Sequence, residues 1–509
     1  MSNNTTRIFK NTLFLYFRML LVLGVSLYTS RVVLDKLGAT DFGIYNVVGG
    51  LVASFSFISG TMIESTQRYL NFEIGKKNED GARKVLNASR VIHLGIALLL
   101  LLVGEIVGTY VLNHWLVIPT ERYDAAYWVY QLSLLTSVFL IISFPYNALI
   151  IAHERMKAFA MVSVFESLAK LSIAYLLSVG SFDKLLLYAS LMAGLQICVS
   201  MLYRFYCYRN FKETKFAIRS IGFDLYKSML SFSGWNFLGS VANICLNQGT
   251  TILLNMFFGP VVNAAKGISI QISNAVNQLC NNFQMAARPQ IVKNYAEGNL
   301  SDMYILIFRT SKISYLLTLM LSLPIIFKTD FILTIWLKTV PRHTSEFVQY
   351  TLYFALVQSL AAPLFTGSSA TGNVKRIMSV VATFFMMVIP TSFILLKFGA
   401  PPIRVFQVQL LFAIFAHVLR LFIVSSQIGF EKKRYLNQVV LPVVVITILS
   451  CCVALGLKQL LLDTCTDVLM FFVLLELVFV LACWSIGFSR DERDYVICMI
   501  KKKMRGKNV

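Results

Sequence analysis

Runs of apolar residues about twenty long, broken by short polar links, recur along the whole chain and predict membrane-spanning helices. The runs fall near 11–34, 42–66, 87–112, 124–151, 158–180, 184–207, 228–258, 262–285, 303–327, 346–370, 377–397, 403–427, 436–457 and 467–488. That is about fourteen spans in an all-α polytopic membrane protein. Two of them, 228–258 and 262–285, joined at Gly259-Pro260, carry far more Asn and Gln than hydrocarbon tolerates. On the first, Asn236, Ser240, Asn243, Asn247 and Thr251 recur at helical spacing. On the second, Lys266, Ser273, Asn277, Asn281, Gln284 and Arg288 do so, with Gln271, Asn274, Gln278 and Asn282 widening the stripe. Helix–helix adhesion needs only two or three polar residues per span. Stripes four turns long predict instead the wall of a hydrated cavity.

Composition agrees with the pattern. The chain of 509 residues is 57% hydrophobic and 14% charged, with a mean hydropathy of +0.68, which no soluble domain of this length shows. The polar start MSNNTTRIFK is followed by an apolar run that carries Arg18 and lacks a small-residue cleavage site, so no removable signal peptide is expected. The net charge of +21 would suggest nucleic acid in a soluble protein. Here Lys and Arg concentrate in alternate links, 27 on one side against 9 on the other. The positive-inside rule then places both termini in the cytoplasm and accounts for the charge with no nucleic-acid partner. The nine cysteines form no CxxC pair and the five histidines no ligand spacing, so neither a metal nor another cofactor is expected.

The longest cytoplasmic link, at 209–226, reads as an amphipathic elbow and separates six spans from eight. The chain repeats weakly across it. VVLDKLGATDFGIY (32–45) and ILLNMFFGPVVNAAK (252–266) each place a glycine, Gly38 or Gly259, at a tight turn into a second span, and those spans end at Arg68 and Arg288. The expected organisation is an N-lobe at 1–208, the linker at 209–226, a C-lobe at 227–428, and two further spans with a basic cytoplasmic tail at 429–509. The two six-helix pseudo-repeated lobes would surround a central cavity.

Charges inside spans are the candidate chemistry. A mid-membrane arginine costs on the order of 3 kcal/mol to insert, so Arg18 should face water or an anion. Arg31 follows on the same span, and Lys266, Arg68 and Arg288 extend the cationic set. Guanidinium groups take phosphate bidentately, while Asn236, Asn243, Asn247, Asn274, Asn277 and Asn281 offer the paired donor and acceptor that sugar hydroxyls need. Glu64 and Arg68, and Glu166 and Lys170, have the i, i+4 spacing of helix ion pairs; the second is expected to be structural. Glu64 and Glu105 are candidates for ion coupling, and Glu476 is also solitary on an apolar run. Phosphate-binding loops, dinucleotide fingerprints and hydrolase motifs are absent, and the outer links are short. A glycosyltransferase or polymerase reading is therefore disfavoured.

SRVVLDKLGATDFGIYNVVGG (30–50), STQRYLNFEIGK (65–76), WNFLGSVANICLNQGTTILLNMFFGPVVNAAKGI (235–268) and AARPQIVKNYAEG (286–298), with the span pattern, resemble the multidrug/oligosaccharidyl-lipid/polysaccharide (MOP) exporter superfamily, and within it Wzx-type polysaccharide and O-antigen flippases. That resemblance implies a cavity lined by spans 1, 2, 7 and 8. It further implies alternating-access translocation of an undecaprenyl-pyrophosphate-linked oligosaccharide, often with H⁺ or Na⁺ antiport, in partnership with membrane lipids and polysaccharide polymerase or assembly proteins. Arg18, Arg31 and Lys266 would then contact pyrophosphate or acidic sugars. The arginine-rich signature of the lipid II flippase branch near the end of span 2 is not reproduced here. A cation-coupled drug antiporter of the same superfamily is the alternative; its usual twelve spans and carboxylate-bearing N-lobe fit less well.

Overall fold

The structure is a computed structural model that describes residues 3–55, 57–153, 155–179, 182–215, 223–227, 229, 241–242, 244–371, 373–460, 464–488 and 493. Residues 3–20 and scattered helical positions, mostly between 53 and 71, are described by their backbone alone. Fifteen principal helices account for these residues, and no strand occurs among them. They are α1 (Asn3–Phe55), α2 (Phe57–Gly75), α3 (Glu79–Val103), α4 (Tyr123–Ala152), α5 (Met156–Leu176), α6 (Lys184–Asn210), α7 (Thr250–Phe258) and α8 (Pro260–Ala296). Then come α9 (Leu300–Phe327), α10 (Thr329–Trp336), α11 (Thr344–Ala370), α12 (Lys375–Lys397), α13 (Ile403–Ile428), α14 (Leu441–Leu460) and α15 (Cys465–Ala482). The chain is an all-helical membrane protein.

Ten helices among the described residues are long and apolar enough to cross a bilayer. The other four expected spans, 11–34, 42–66, 228–258 and 262–285, run through α1, α2, α7 and α8. Much of 228–258, with Asn236, Ser240 and Asn243, lies outside the described residues, as do residues 216–222 of the elbow at 209–226. The span at 262–285 falls within α8, where Asn and Gln dilute the apolar residues. At 37 residues and 1.5 Å per residue, α8 is roughly 55 Å long, well beyond a hydrocarbon core.

Helix starts follow the sequence. Asn78 caps α3 by accepting from the Gly81 amide, Asp183 caps α6 through Leu185 and Leu186, and Asn299 caps α9 through Asp302. Each satisfies amides that a first helical turn leaves unpaired.

The chain forms two compact units. One comprises Met1–Gly267 with Trp336–Thr344 and Phe385–Val405; the other comprises Ile268–Ile335, Ser345–Phe384 and Phe406–Val509. The first packs α3, α4 and α6 together, with α1 against α5. Its segment at 336–344 is held on α1, where Trp336 Nε1 donates to the Leu27 carbonyl and Lys338 Nζ to Asp35, both at 2.8 Å. The second unit is built on an apolar core from α9, α11, α13, α14 and α15, in which Phe308 packs edge-on against Phe430 and Tyr435, each at 5.3 Å between ring centres.

Candidate functional site

Two glycine turns frame the first unit. Gly38, inside α1, has φ 79° and ψ 169°; Gly259, between α7 and α8, has φ 77° and ψ −174°. The two positions paired by the sequence repeat therefore share one conformation, in a region essentially reserved for glycine. The segments that follow them meet. A Cβ on Gly43 would stand 1.8 Å from the Pro260 carbonyl oxygen, and one on Gly267 would stand 3.1 Å from Asn46 Cγ. The α1 backbone beyond Gly38 and the first turns of α8 thus approach as closely as glycine permits.

Lys266 lies in this crossing and is 4% exposed. Its ammonium donates to the Asn247 carbonyl at 2.7 Å, to Thr251 Oγ1 at 2.8 Å and to Thr250 Oγ1. Asn247 belongs to a π turn, Cys245–Gly249, whose wider spacing offers its carbonyl to a neighbour. Lys266 therefore joins α8 to the π turn and α7, and in this conformation its charge is committed to the protein. Asn255, fully buried on α7, accepts from the Val117 amide at 2.7 Å and donates to the Val117 carbonyl at 3.4 Å. Neither Thr250 nor Asn255 stood out in the sequence, because a buried polar residue that pairs with backbone looks the same as one that lines water.

The other candidates are placed as follows. Arg31, on α1, is half-buried and engaged. The side chains of Arg18, Glu64 and Arg68 lie outside the described residues, as do Asn236 and Asn243 entirely. The Asn247 side chain is exposed. In the second unit, Asn274 and Asn281 are exposed on one face of α8, and Asn277 between them is half-buried and donates to Ser273 Oγ at 3.1 Å. Exposed amides within a span require water or ligand rather than acyl chains. Arg288 is exposed, roughly 42 Å along α8 from Pro260 and so near the helix's far end. Glu105 is exposed on a π turn, Gly104–Gly108, beside the exposed Leu102, Ile106 and Val107, with Gln131 Nε2 3.3 Å away. Lys170 and Glu166 form the ion pair their spacing predicts, at 2.6 Å. That pair borders a cleft of about 190 Å³ within the first unit, lined by Tyr45, Ser133, Thr136, Ser137, Lys170 and Gln196 among others.

A further cluster that the sequence did not announce fixes one end of the first unit. Arg122, ahead of α4, donates through Nε and Nη2 to both oxygens of Asp41, and through Nη1 to Asp183. A residue on α1, one at the start of α4 and the cap of α6 are thereby tied together by one guanidinium.

The chain matches no protein-family model and no curated protein. Among solved structures it is similar to a multidrug resistance MATE family transporter of the MOP superfamily in an inward-facing conformation, with a TM-score of 0.67, 11% identity, and coverage of 79% of this chain and 95% of that one. It is similar to the lipid II flippase MurJ in an inward closed conformation, with a TM-score of 0.67, 12% identity, and coverage of 93% and 98%. An outward-facing MATE structure gives a lower TM-score of 0.56 at 13% identity, covering 82% and 96%. Identities this low speak to architecture alone, and it is the fold that this chain shares with these structures.

Proposed function

We propose that this protein is a flippase that moves a lipid-linked oligosaccharide, a glycan on undecaprenyl pyrophosphate, across the bacterial inner membrane by ion-coupled alternating access. One observation carries the choice of a lipid-linked substrate over a small drug. The likeness to the lipid II flippase extends over 93% of the chain, leaving fewer residues unmatched than the C-terminal segment at 429–509 contains. The likeness to MATE transporters covers 79–82% and leaves room to omit that segment whole. The residue chemistry supports the same reading. Arg18 and Arg31 are suited to pyrophosphate, and Asn247, Asn274, Asn277 and Asn281 to sugar hydroxyls. Lys266 holds the π turn that presents Asn247. Glu64 is the candidate for H⁺ or Na⁺ coupling, because Glu105 faces outward among apolar side chains. The second reading, a cation-coupled drug antiporter, rests on the equal TM-score of the MATE structure.

Complementation separates the two. The gene is deleted, and wild type, Arg18→Ala and Arg31→Ala are expressed at matched levels. Surface glycan is scored beside the undecaprenyl-linked intermediate retained in the membrane. Loss of surface glycan with accumulation of the intermediate, unrescued by the two variants, is the expected result. Intact glycan with heightened sensitivity to cationic drugs would replace this reading by the antiporter.

A further inference from the structure

The end of the first unit that the charge bias assigns to the cytoplasm holds an arginine with an unfilled edge. Arg90, on α3, is gripped from several directions. Its Nη1 donates to Asn87 Oδ1 and to the Thr214 carbonyl, both at 2.9 Å. Its guanidinium carbon is 5.0 Å from the Tyr146 ring centre and 5.6 Å from that of Tyr208, while Arg204 lies 5.5 Å from the same Tyr146 ring. A guanidinium held in this way has little rotational freedom left.

The remaining donors are Nε and Nη2, the two that point along one side of the guanidinium plane. Both are buried, and neither has a hydrogen-bond partner among the described residues. This is the edge with which arginine takes a carboxylate or phosphate through two parallel bonds. The nearby carboxylate does not fill it, because Glu213 pairs with His153 Nε2 at 3.0 Å. Buried donors are rarely left empty in a finished structure, so a ligand oxygen is the natural occupant.

The surroundings show how one would arrive. Residues 211–215 cross this end of the unit as a short strap. Phe211 stacks on His153 with 4.3 Å between ring centres, and Asn87 Nδ2 donates to the Lys215 carbonyl at 3.2 Å. Arg83, Asn87 and Arg90 lie on one face of α3, at i, i+4 and i+7. Between the start of α3 and the strap lies a cleft of about 120 Å³ lined by Glu79, Asp80, Arg83, Lys212, Glu213 and Lys215. Its three acidic groups are engaged: Glu79 faces Lys212 at 3.8 Å, Asp80 pairs with Arg83, and Glu213 pairs with His153. Lys215 adds a cation at the rim.

We infer that Arg90, clamped by Tyr146 and Tyr208 beneath the strap at 211–215, is a binding site for a phosphate group, taken bidentately on Nε and Nη2. Displacement of the strap, which is held by the Phe211–His153 stack and by the Asn87 and Arg90 hydrogen bonds to its carbonyls, admits it. The phosphate belongs either to a membrane lipid headgroup or to a soluble phosphate compound. The site shares no residue with the set Arg18, Arg31 and Lys266, and does not depend on the transport reading.

The test uses the full-length protein, purified and delipidated in detergent. Native mass spectrometry counts retained phosphatidylglycerol, and thermal unfolding is followed as inorganic pyrophosphate is titrated in. Wild type is compared with Arg90→Lys, which keeps the charge and loses the fork, and with Tyr208→Leu, which removes one aromatic face. The expected result is one tightly held phosphatidylglycerol in wild type, weakened about tenfold in Arg90→Lys and by less in Tyr208→Leu. Pyrophosphate stabilisation that needs Arg90, with no Arg90-dependent lipid, keeps the phosphate site and assigns it to a soluble source. Should Arg90→Lys fail to fold, the same comparison rests on Tyr208→Leu. Lipid and pyrophosphate binding that neither substitution alters would overturn the proposal and leave the edge to water.

Discussion

The crossing of α1 and α8 makes a sharp prediction at Gly43. A Cβ placed there would be 1.8 Å from the Pro260 carbonyl oxygen, 2.5 Å from its carbonyl carbon and 3.2 Å from its Cα. Every one of those atoms is backbone, so no rotamer change relieves the clash. An ordinary C···O contact needs about 3.3 Å, and the two segments would have to part by roughly 1.5 Å. Overpacking of this kind typically costs about 1–3 kcal/mol and occasionally more. The crossing also carries the Lys266 contacts and the Gly267–Asn46 approach, which places Gly43→Ala toward the upper end of that range. The control is Gly95→Ala on α3, where nothing lies within 4 Å of the new methyl. There the helix propensity of alanine favours the substitution by up to about 1 kcal/mol. The two identical chemical changes should therefore move stability in opposite directions. The assay is the unfolding midpoint of purified protein in detergent, followed by near-ultraviolet signal and by loss of monodispersity. Equal midpoints for Gly43→Ala and Gly95→Ala would refute the close crossing and the framing role of the two turns.

Other substitutions probe separate links. Lys266→Ala removes a buried ammonium from three acceptors, and a loss of about 2–4 kcal/mol should appear as a lowered midpoint. A Lys266→Ala protein with an unchanged midpoint but no complementation would show instead that the ammonium acts on substrate. Asn255→Ala leaves the Val117 amide without its acceptor and should cost about 1–3 kcal/mol; an Asn255→Asp variant, which keeps an acceptor for that amide, should recover part of the loss in the same melt. Arg122→Ala breaks its contacts to Asp41 and Asp183. A double-mutant cycle with Asp41→Asn should return a coupling of about 1 kcal/mol that shrinks as salt is raised, and a coupling of zero would mean the contact carries no stability.

Much of the architecture was legible because the bilayer imposes it. A span must be helical, apolar and about twenty residues long, so hydropathy alone located α3 to α6, α9 and α11 to α15. The unusual character of 228–258 and 262–285 was equally plain, since amides in a span are costly wherever the helix is placed. Gly38 and Gly259 were readable as turns because few residues tolerate positive φ, and their shared conformation follows from the repeated sequence. The Glu166–Lys170 pair was readable because its spacing is local.

Tertiary structure decided the partners of polar residues whose neighbours come from afar. Lys266 had the same signature whether it faced a cavity or the Asn247 carbonyl, and only the packing of α8 on the π turn distinguishes them. Arg90 is one basic residue near the start of the run at 87–112; what marks it out is that Asn87, Thr214, Tyr146 and Tyr208 hold it while one edge stays open. Arg122 is, along the chain, one charge in a short link between apolar runs, and only the fold brings Asp41 and Asp183 to it. Hydrophobicity and backbone sterics act along the chain, so the sequence by itself determined the spans and the glycine turns. Hydrogen bonds and ion pairs act over a few ångströms between segments, so which polar group is structural and which is left to bind could be settled only when those segments met.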